Sequence, residues 1–178
     1  MSKLLIFGHG YTTKNLTKII TEDFSEIYAT SREPEKINDK SVNHVIKYEE
    51  SGEFLISNKN DLTHILCAIP PDTNGDPVYE RFKNDIKDLS SLKWIGYLSA
   101  TSVYGDHDGA FVDENSELKA NTNRGLNRIL AEKQWSEFCK NYKIILKIFR
   151  IAGIYGKGRN IYERIKKGEY KLILKDKQ

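Results

Sequence analysis

The stretch that decides the fold is Lys3–Thr13, with the sequence KLLIFGHGYTT. An apolar run of strand length, Leu4–Phe7, leads directly into Gly8-x-Gly10-x-x-Thr13, and the following residues have the apolar spacing of a helix. In such a unit the first glycine permits a tight turn, and the second lets another group approach the backbone closely. Free N–H groups and the positive dipole end at the start of a helix favour an anion. The stretch therefore predicts a turn that binds phosphate groups.

Thr13 stands where a third glycine often allows close packing of the helix. Threonine is bulkier, so we expect the helix to lie slightly further out and the hydroxyl either to cap the turn or to bond a phosphate. The alternative is a purely structural glycine turn, because this spacing also arises by chance. The position of the turn between a strand and a helix favours the phosphate-binding interpretation.

Apolar segments of strand length alternate with segments of helical periodicity along the rest of the chain. This alternation is typical of a parallel sheet with crossover helices on both faces. We predict a doubly wound α/β fold of the dinucleotide-binding Rossmann type, formed as one domain over residues 1–178. The predicted strands cover residues 4–7, 27–30, 42–48, 62–69, 94–100 and 143–151. The clearest helix covers residues 123–141, and its apolar stripe of Leu126, Ile129, Leu130, Trp135 and Phe138 is expected to be core.

Composition and charge argue against several other classes of protein. The formal net charge is +3, and apart from a cluster near the C-terminus the basic residues are spread along the chain, which disfavours a nucleic-acid partner. Cys67 and Cys139 lack metal-ligand spacing, so we expect reduced thiols and no metal site. The sequence has no signal-peptide core and no apolar run of membrane-spanning length, so we expect a cytoplasmic protein without a membrane partner.

Ser31 and Arg32 follow the second predicted strand, about twenty residues beyond the glycines. An acidic residue there would hydrogen-bond the ribose 2′-hydroxyl of NAD and repel a 2′-phosphate, whereas a hydroxyl and an arginine suit the phosphate. We therefore predict NADP as the cofactor, with NAD as the less favoured one. In the alternative interpretation Arg32 is a solvated residue and Glu33 contacts the ribose.

Later motifs resemble those of the extended short-chain dehydrogenases/reductases, a family of NAD-dependent nucleotide-sugar epimerases and dehydratases. The resemblance lies in Gly8–Tyr11, in Leu98–Asp106 (LSATSVYGD) and in Phe149–Arg159 (FRIAGIYGKGR). It implies a bound dinucleotide and a small-molecule substrate such as a nucleotide-sugar, and it leaves a homodimer open. Together with the ends of the predicted strands, it gives a cofactor-binding set of Gly8, Gly10, Tyr11, Thr12, Thr13, Ser31, Arg32, Ala68, Ile69, Pro70, Ser99 and Arg128.

In that family a Ser or Thr, a Tyr and a Lys carry out the redox step, in which the phenol exchanges a proton with the substrate. The resemblance places Ala100, Arg124 and Arg128 at these three positions. Arginine stays protonated, so Arg124 cannot act as the acid or base that a tyrosine is. Arg128 can still donate to a ribose hydroxyl. The alternative is that both arginines are solvated residues at the start of the helix, and no catalytic residue is predicted.

Extended members of the family continue into a substrate-binding domain. Here we expect a truncated or minimal one, limited to parts of residues 105–122 and 153–178, with the apolar segment 172–174 as a last strand or frayed end. Two functions stay open. One is an epimerase- or dehydratase-like enzyme that binds a carbohydrate or nucleotide-sugar beside Thr101 and Arg124. The other is a non-catalytic NADP-binding sensor or scaffold.

Overall fold

A computed structural model describes residues 2–169, which form a six-stranded parallel sheet with helices on both faces. The strands are β1 (Lys3–Phe7), β2 (Glu26–Ser31), β3 (His44–Lys47), β4 (His64–Cys67), β5 (Trp94–Ala100) and β6 (Ile145–Ile151). The helices are α1 (Tyr11–Ile20), α2 (Ser51–Ser57), α3 (Pro77–Lys87), α4 (Asn123–Tyr142) and α5 (Ile161–Lys166). Short 3₁₀ turns cover Pro34–Lys36, Tyr48–Glu50 and Thr101–Val103. The predicted doubly wound fold is confirmed.

All six predicted strands are present, and the differences lie at their ends. β4 ends at Cys67 rather than at residue 69, because Pro70 and Pro71 lack the N–H groups that would extend the ladder. β3 ends before Tyr48, which begins a 3₁₀ turn. The short helix α2 between β3 and β4 was not predicted. The predicted tail segment 172–174 lies outside the described residues.

The strand order β3-β2-β1-β4-β5-β6 reverses direction at β1. β1 pairs with β2 on one side, where Leu4 is opposite Ile27, and with β4 on the other side, where Leu4 is opposite His64. The connection after β1 leads to β2 and the connection after β4 leads to β5, so the two run towards opposite edges of the sheet. A crevice at the carboxyl ends of these two strands is the usual ligand site of such folds.

Buried apolar side chains lie on both faces of the sheet because successive strand residues point in opposite directions. Leu5 and Phe7 pack towards α3 and α4, and Leu4 and Ile6 pack on the side of α1. In α4, Trp135 and Phe138 are buried as predicted, but Leu126 and Leu130 are 49% and 38% exposed. The face of α4 that meets the sheet passes instead through Gly125, Ala131 and Glu132. None of the helices within residues 2–169 is long and apolar enough to cross a membrane.

A buried carboxylate begins helix α3. Asp76 is completely buried, and its Oδ1 accepts hydrogen bonds from the backbone N–H groups of Val78 and Tyr79 at 2.8 and 3.0 Å. Its Oδ2 has no hydrogen-bond partner among the described residues. Burial raises the pKa of Asp76 to about 6, although the two backbone bonds and the nearby indole N–H of Trp135 oppose this shift. At neutral pH the Asp76 carboxylate, which caps α3, is therefore charged although its burial disfavours the charge.

The raised pKa of Asp76 makes the free energy of unfolding depend on pH. The pKa of an unfolded aspartate is about 3.9. The folded value is higher, so the stability that this group contributes is fully present below about pH 4 and is lost as the pH rises through about 6. The loss is about 3 kcal/mol of unfolding free energy. Asp76→Asn keeps a capping acceptor and should remove this pH dependence, as measured by urea denaturation between pH 4 and pH 7.

The control is Asp88→Asn, which changes an exposed aspartate at the other end of α3. Its unfolding free energy should follow that of the unmodified protein across the whole pH range. A pH dependence of Asp76→Asn equal to that of the unmodified protein would contradict this account of the cap.

Candidate functional site

The turn between β1 and α1 is fixed by its own hydrogen bonds. Gly8 has a φ of +94°, which favours glycine, and a side chain there would come within 3.0 Å of Ile69. Its N–H donates to Oγ1 of Thr30 at 3.0 Å. The buried hydroxyl of Thr13 donates to the carbonyl oxygens of Gly8 and Gly10 at 3.0 and 3.1 Å. Of the two roles predicted for this hydroxyl, the structure shows the cap of the turn.

The start of α1 is open towards the crevice. Gly10 has an extended backbone, and no atom lies within 4 Å of the place where a Cβ would stand. The first hydrogen bond of the helix runs from the N–H of Lys14 to the carbonyl of Gly10 at 2.9 Å. The N–H groups of Tyr11, Thr12 and Thr13 therefore precede the helical ladder. Because the first turn has no acidic residue, this end of the helix is suited to an anion.

A buried histidine supports the turn from behind. Nε2 of His9 lies 3.0 Å from Oδ2 of Asp39, whose Oδ1 accepts from the N–H and the hydroxyl of Ser41 at 3.0 and 2.6 Å. Burial lowers the pKa of His9, although Asp39 opposes the shift. Burial would raise the pKa of Asp39, but the bonds from Ser41 and His9 lower it to about 2. At neutral pH a neutral imidazole therefore donates to a carboxylate, an arrangement that the sequence did not reveal.

Two cavities, each of about 510 Å³, lie on either side of the turn. The first lies over the ends of β1 and β2, where Thr30, Ser31 and Arg32 line it with Tyr48. The second lies over the ends of β5 and β6 and the start of α4. Both cavities are lined by Gly10, Ala68 and Pro70. A long ligand that crossed the turn would thus reach both cavities.

Every residue of the predicted cofactor-binding set lines one of these two cavities. Those in the first are Gly8, Ser31, Arg32 and Ile69, those in the second are Tyr11, Thr12, Thr13, Ser99 and Arg128, and those shared by both are Gly10, Ala68 and Pro70. The structure thus brings the whole set together around one crevice. Binding of a cofactor by these residues stays a prediction.

The second cavity contains the three positions that the family resemblance singled out. Ala100, Arg124 and Arg128 line it together. Ser99 is buried, and its hydroxyl donates to Glu132 at 2.5 Å, so this hydroxyl is already occupied. Arg128 donates through Nη1 to the carbonyl of Leu98. At the tyrosine position the cavity therefore has a permanent cation in place of a group that exchanges protons.

Arg150 of β6 contacts both helix α4 and the motif that follows β5. Nη2 of Arg150 lies 2.9 Å from Oε2 of the buried Glu132, and Nη1 of Arg150 donates to the hydroxyl of Tyr104 at 3.0 Å. Glu132 raises the pKa of Arg150 further. Thr101 lines a different cavity with Tyr104 and Arg150. The substrate prediction placed Thr101 beside Arg124, but the structure places the two residues in different cavities.

The segment after β6 folds back onto the start of α1. Gly156 and Arg159 close a tight turn through two backbone hydrogen bonds of 2.8 and 2.9 Å. The hydroxyl of Tyr11 donates to the carbonyl of Lys157 at 3.2 Å, and the guanidinium of Arg159 lies 5.5 Å from the centre of the Tyr11 ring. Arg159 belongs to the motif that follows β6 but was not predicted as a site residue, and no sequence pattern marks Tyr48 as a lining residue.

Comparisons with known proteins show the fold. No family model matches the chain, and no curated protein matches it. A functionally unknown conserved protein from Silicibacter pomeroyi is 36% identical, with a TM-score of 0.74 over 89% of this chain and 56% of the other. UDP-glucuronic acid 4-epimerase from Bacillus cereus, solved with NAD, is 19% identical, with a TM-score of 0.69 over 86% of this chain and 57% of the other.

UDP-N-acetylglucosamine 4-epimerase from Bacillus cereus is 16% identical, with a TM-score of 0.69 over 88% of this chain and 55% of the other. The chain thus spans little more than half the length of each of these structures. It shares the Rossmann-like fold of NAD-binding epimerases.

The two glycines of the turn should respond differently to substitution. Gly8→Ala places a side chain at positive φ and close to Ile69, so it should lower the unfolding free energy by about 1–2 kcal/mol. Gly10→Ala enters open space on an extended backbone, so its effect should be a fraction of that. Urea denaturation of the two variants provides a matched comparison. Equal losses would mean that the described turn geometry is wrong.

Proposed function

We propose that this chain binds NADP across the two cavities, as an atypical relative of the NAD(P)-dependent epimerases and dehydratases. The observation that carries the proposal is the open start of α1 at Gly10, with a cavity on each side of it. The backbone N–H groups of Tyr11, Thr12 and Thr13 would hold the diphosphate. The adenosine end would then lie in the first cavity and the nicotinamide end in the second.

The residues present fit such a ligand. A side chain at position 10 would project into the space that the diphosphate needs, and glycine leaves that space open. Ala68 and Pro70, which border both cavities, carry no charge that would repel the ligand. Arg128 lies in the second cavity, where its remaining N–H groups would donate to the ribose on the nicotinamide side. When bound, NADP would supply a site for hydride transfer.

The preference for NADP over NAD rests on the end of β2. Ser31 and Arg32 line the first cavity, where a hydroxyl and a guanidinium would bind the 2′-phosphate. Glu33, the alternative ribose contact, does not line this cavity, and its carboxylate pairs with Lys36. NAD is the alternative cofactor, since the Bacillus cereus UDP-glucuronic acid epimerase was solved with it.

Fluorescence titration with NADPH and NADH tests this proposal. The unmodified protein should bind NADPH more tightly than NADH. Arg32→Glu should weaken NADPH binding by about tenfold or more, because a charge-assisted bond is replaced by repulsion, and NADH binding should change little. Lys87→Glu, a charge reversal at the exposed end of α3, is the control and should leave both affinities unchanged.

The two parts of the proposal fail separately. If the unmodified protein binds neither nucleotide, the assignment of a dinucleotide site is wrong. If Arg32→Glu keeps the full preference for NADPH, only the assignment of the 2′-phosphate contact is wrong.

A specific observation favours a non-catalytic role as the second candidate function. Ala100 and Arg124 occupy the positions at which the family has a hydroxyl and a proton-exchanging phenol, and neither can transfer a proton at neutral pH. A sensor or scaffold needs cofactor binding only. An enzyme acting on a nucleotide-sugar would need another proton donor.

Cofactor turnover distinguishes the two functions. With NADP and either UDP-glucose or UDP-glucuronic acid supplied, we expect nucleotide binding without formation of NADPH or of an epimerised sugar, as followed by absorbance and chromatography. Sustained turnover would instead support the nucleotide-sugar enzyme. The matched variant is Arg124→Tyr combined with Arg128→Lys, which restores the usual pair of the family.

A further inference from the structure

We infer that the second cavity is a receptor for an oxyanion, in which Arg124, Arg128 and Arg159 bind a carboxylate or phosphate group of a small ligand. The inference deepens the proposed function and rests on it, because the ligand would lie beside the nicotinamide end of the bound NADP. The ligand would be a substrate or an effector that carries a carboxylate or phosphate group.

Three arginines from two separate segments meet in this cavity. Arg124 and Arg128 lie four residues apart in the first turns of α4, and this spacing places both on one face of the helix. Arg159 comes from the turn after β6, whose position is fixed by the contact of Lys157 with Tyr11. The fold thus concentrates cations that are distant in sequence.

In the described part of the chain, no carboxylate forms an ion pair with these three cations. The lining of the cavity contains no aspartate and no glutamate. Within residues 2–169, none of these three guanidinium groups forms an ion pair with a carboxylate. Arg150 on the neighbouring strand, in contrast, pairs with Glu132. The cavity therefore differs from the interior network beside it, where each charge has its partner.

The arginines also retain hydrogen-bond donors. A guanidinium has five N–H donors in a planar fork that matches a carboxylate or a phosphate. Arg128 uses one of them on the carbonyl of Leu98, and Arg159 lies over the ring of Tyr11. The fork of a guanidinium can bind two oxygens at once, and lysine is not equivalent to arginine in this role.

The charge balance favours an additional anion beyond the cofactor. Three like charges line a space of about 510 Å³ next to the positive end of α1. The diphosphate of NADP would be held at the turn by the N–H groups of α1 and would not pair with these arginines. Like charges around one space repel one another, and a negative group that enters the space relieves this repulsion. A neutral sugar ring would leave the three guanidinium groups without a matching partner, whereas an oxyanion would bind them.

The test uses the full chain saturated with NADPH, so that the diphosphate position is already filled. Inorganic phosphate and malonate are titrated separately at constant ionic strength in chloride, and binding is followed by calorimetry and by nicotinamide fluorescence. We expect at least one of the two anions to bind. Arg124→Gln and Arg159→Gln should each weaken that binding by about tenfold, with NADPH affinity kept within about threefold. Tighter binding of malonate would identify a carboxylate ligand, and tighter binding of phosphate would identify a phosphate ligand.

The control is Lys87→Gln at the exposed C-terminal end of α3, a cation that lines neither cavity. It should leave anion binding unchanged. The inference is overturned if neither anion binds to the unmodified protein, or if both cavity variants bind the anions as tightly as the control does.

Failure of the proposed function would be recognised independently. If NADPH does not bind, the same calorimetric titrations are made on the protein without nucleotide, together with Gly10→Val, which blocks the turn. Anion binding that is lost in the arginine variants and kept in Gly10→Val would still establish the receptor. Binding that is lost only in Gly10→Val would assign the anion to the turn and overturn the inference.

Discussion

The structure depends on the short turn that connects β1 to α1. The φ of +94° at Gly8, and the hydrogen bonds that Thr30 and Thr13 make to the turn, fix how the chain leaves the sheet. This geometry directs the first N–H groups of α1 into the crevice where the strand order reverses. The turn is thus held by its own side chains and by the contact of the buried His9 with Asp39.

The two cavities beside this turn differ in chemistry. The first combines a polar strand end with the aromatic ring of Tyr48, which suits an adenosine group with its phosphate. The second carries Arg124, Arg128 and Arg159, and the family resemblance places a phenol where Arg124 stands and a hydroxyl where Ala100 stands. Under the proposed function the turn would hold the dinucleotide, while the arginines of the second cavity favour binding of charged groups over proton transfer.

The sequence predicted the sheet and the crevice because both follow from local patterns: apolar runs of strand length, and glycines at the spacing of a tight turn. It could not show which side chains were already occupied. The hydroxyl of Ser99 is bonded to Glu132, and His9 is bonded to Asp39, through contacts between residues 30 or more positions apart. Leu126 and Leu130 were predicted to be core because the apolar stripe was broader than the face of α4 that meets the sheet.

The central claim is that backbone N–H groups at the start of α1 bind the diphosphate of NADP. The most direct measurement is the amide NMR spectrum of the protein during titration with NADPH. We expect large shifts of the amide resonances of Tyr11, Thr12 and Thr13, and smaller shifts of those of Arg32 and Arg128. Saturating NADPH that leaves the three helix-start amides unchanged would contradict it.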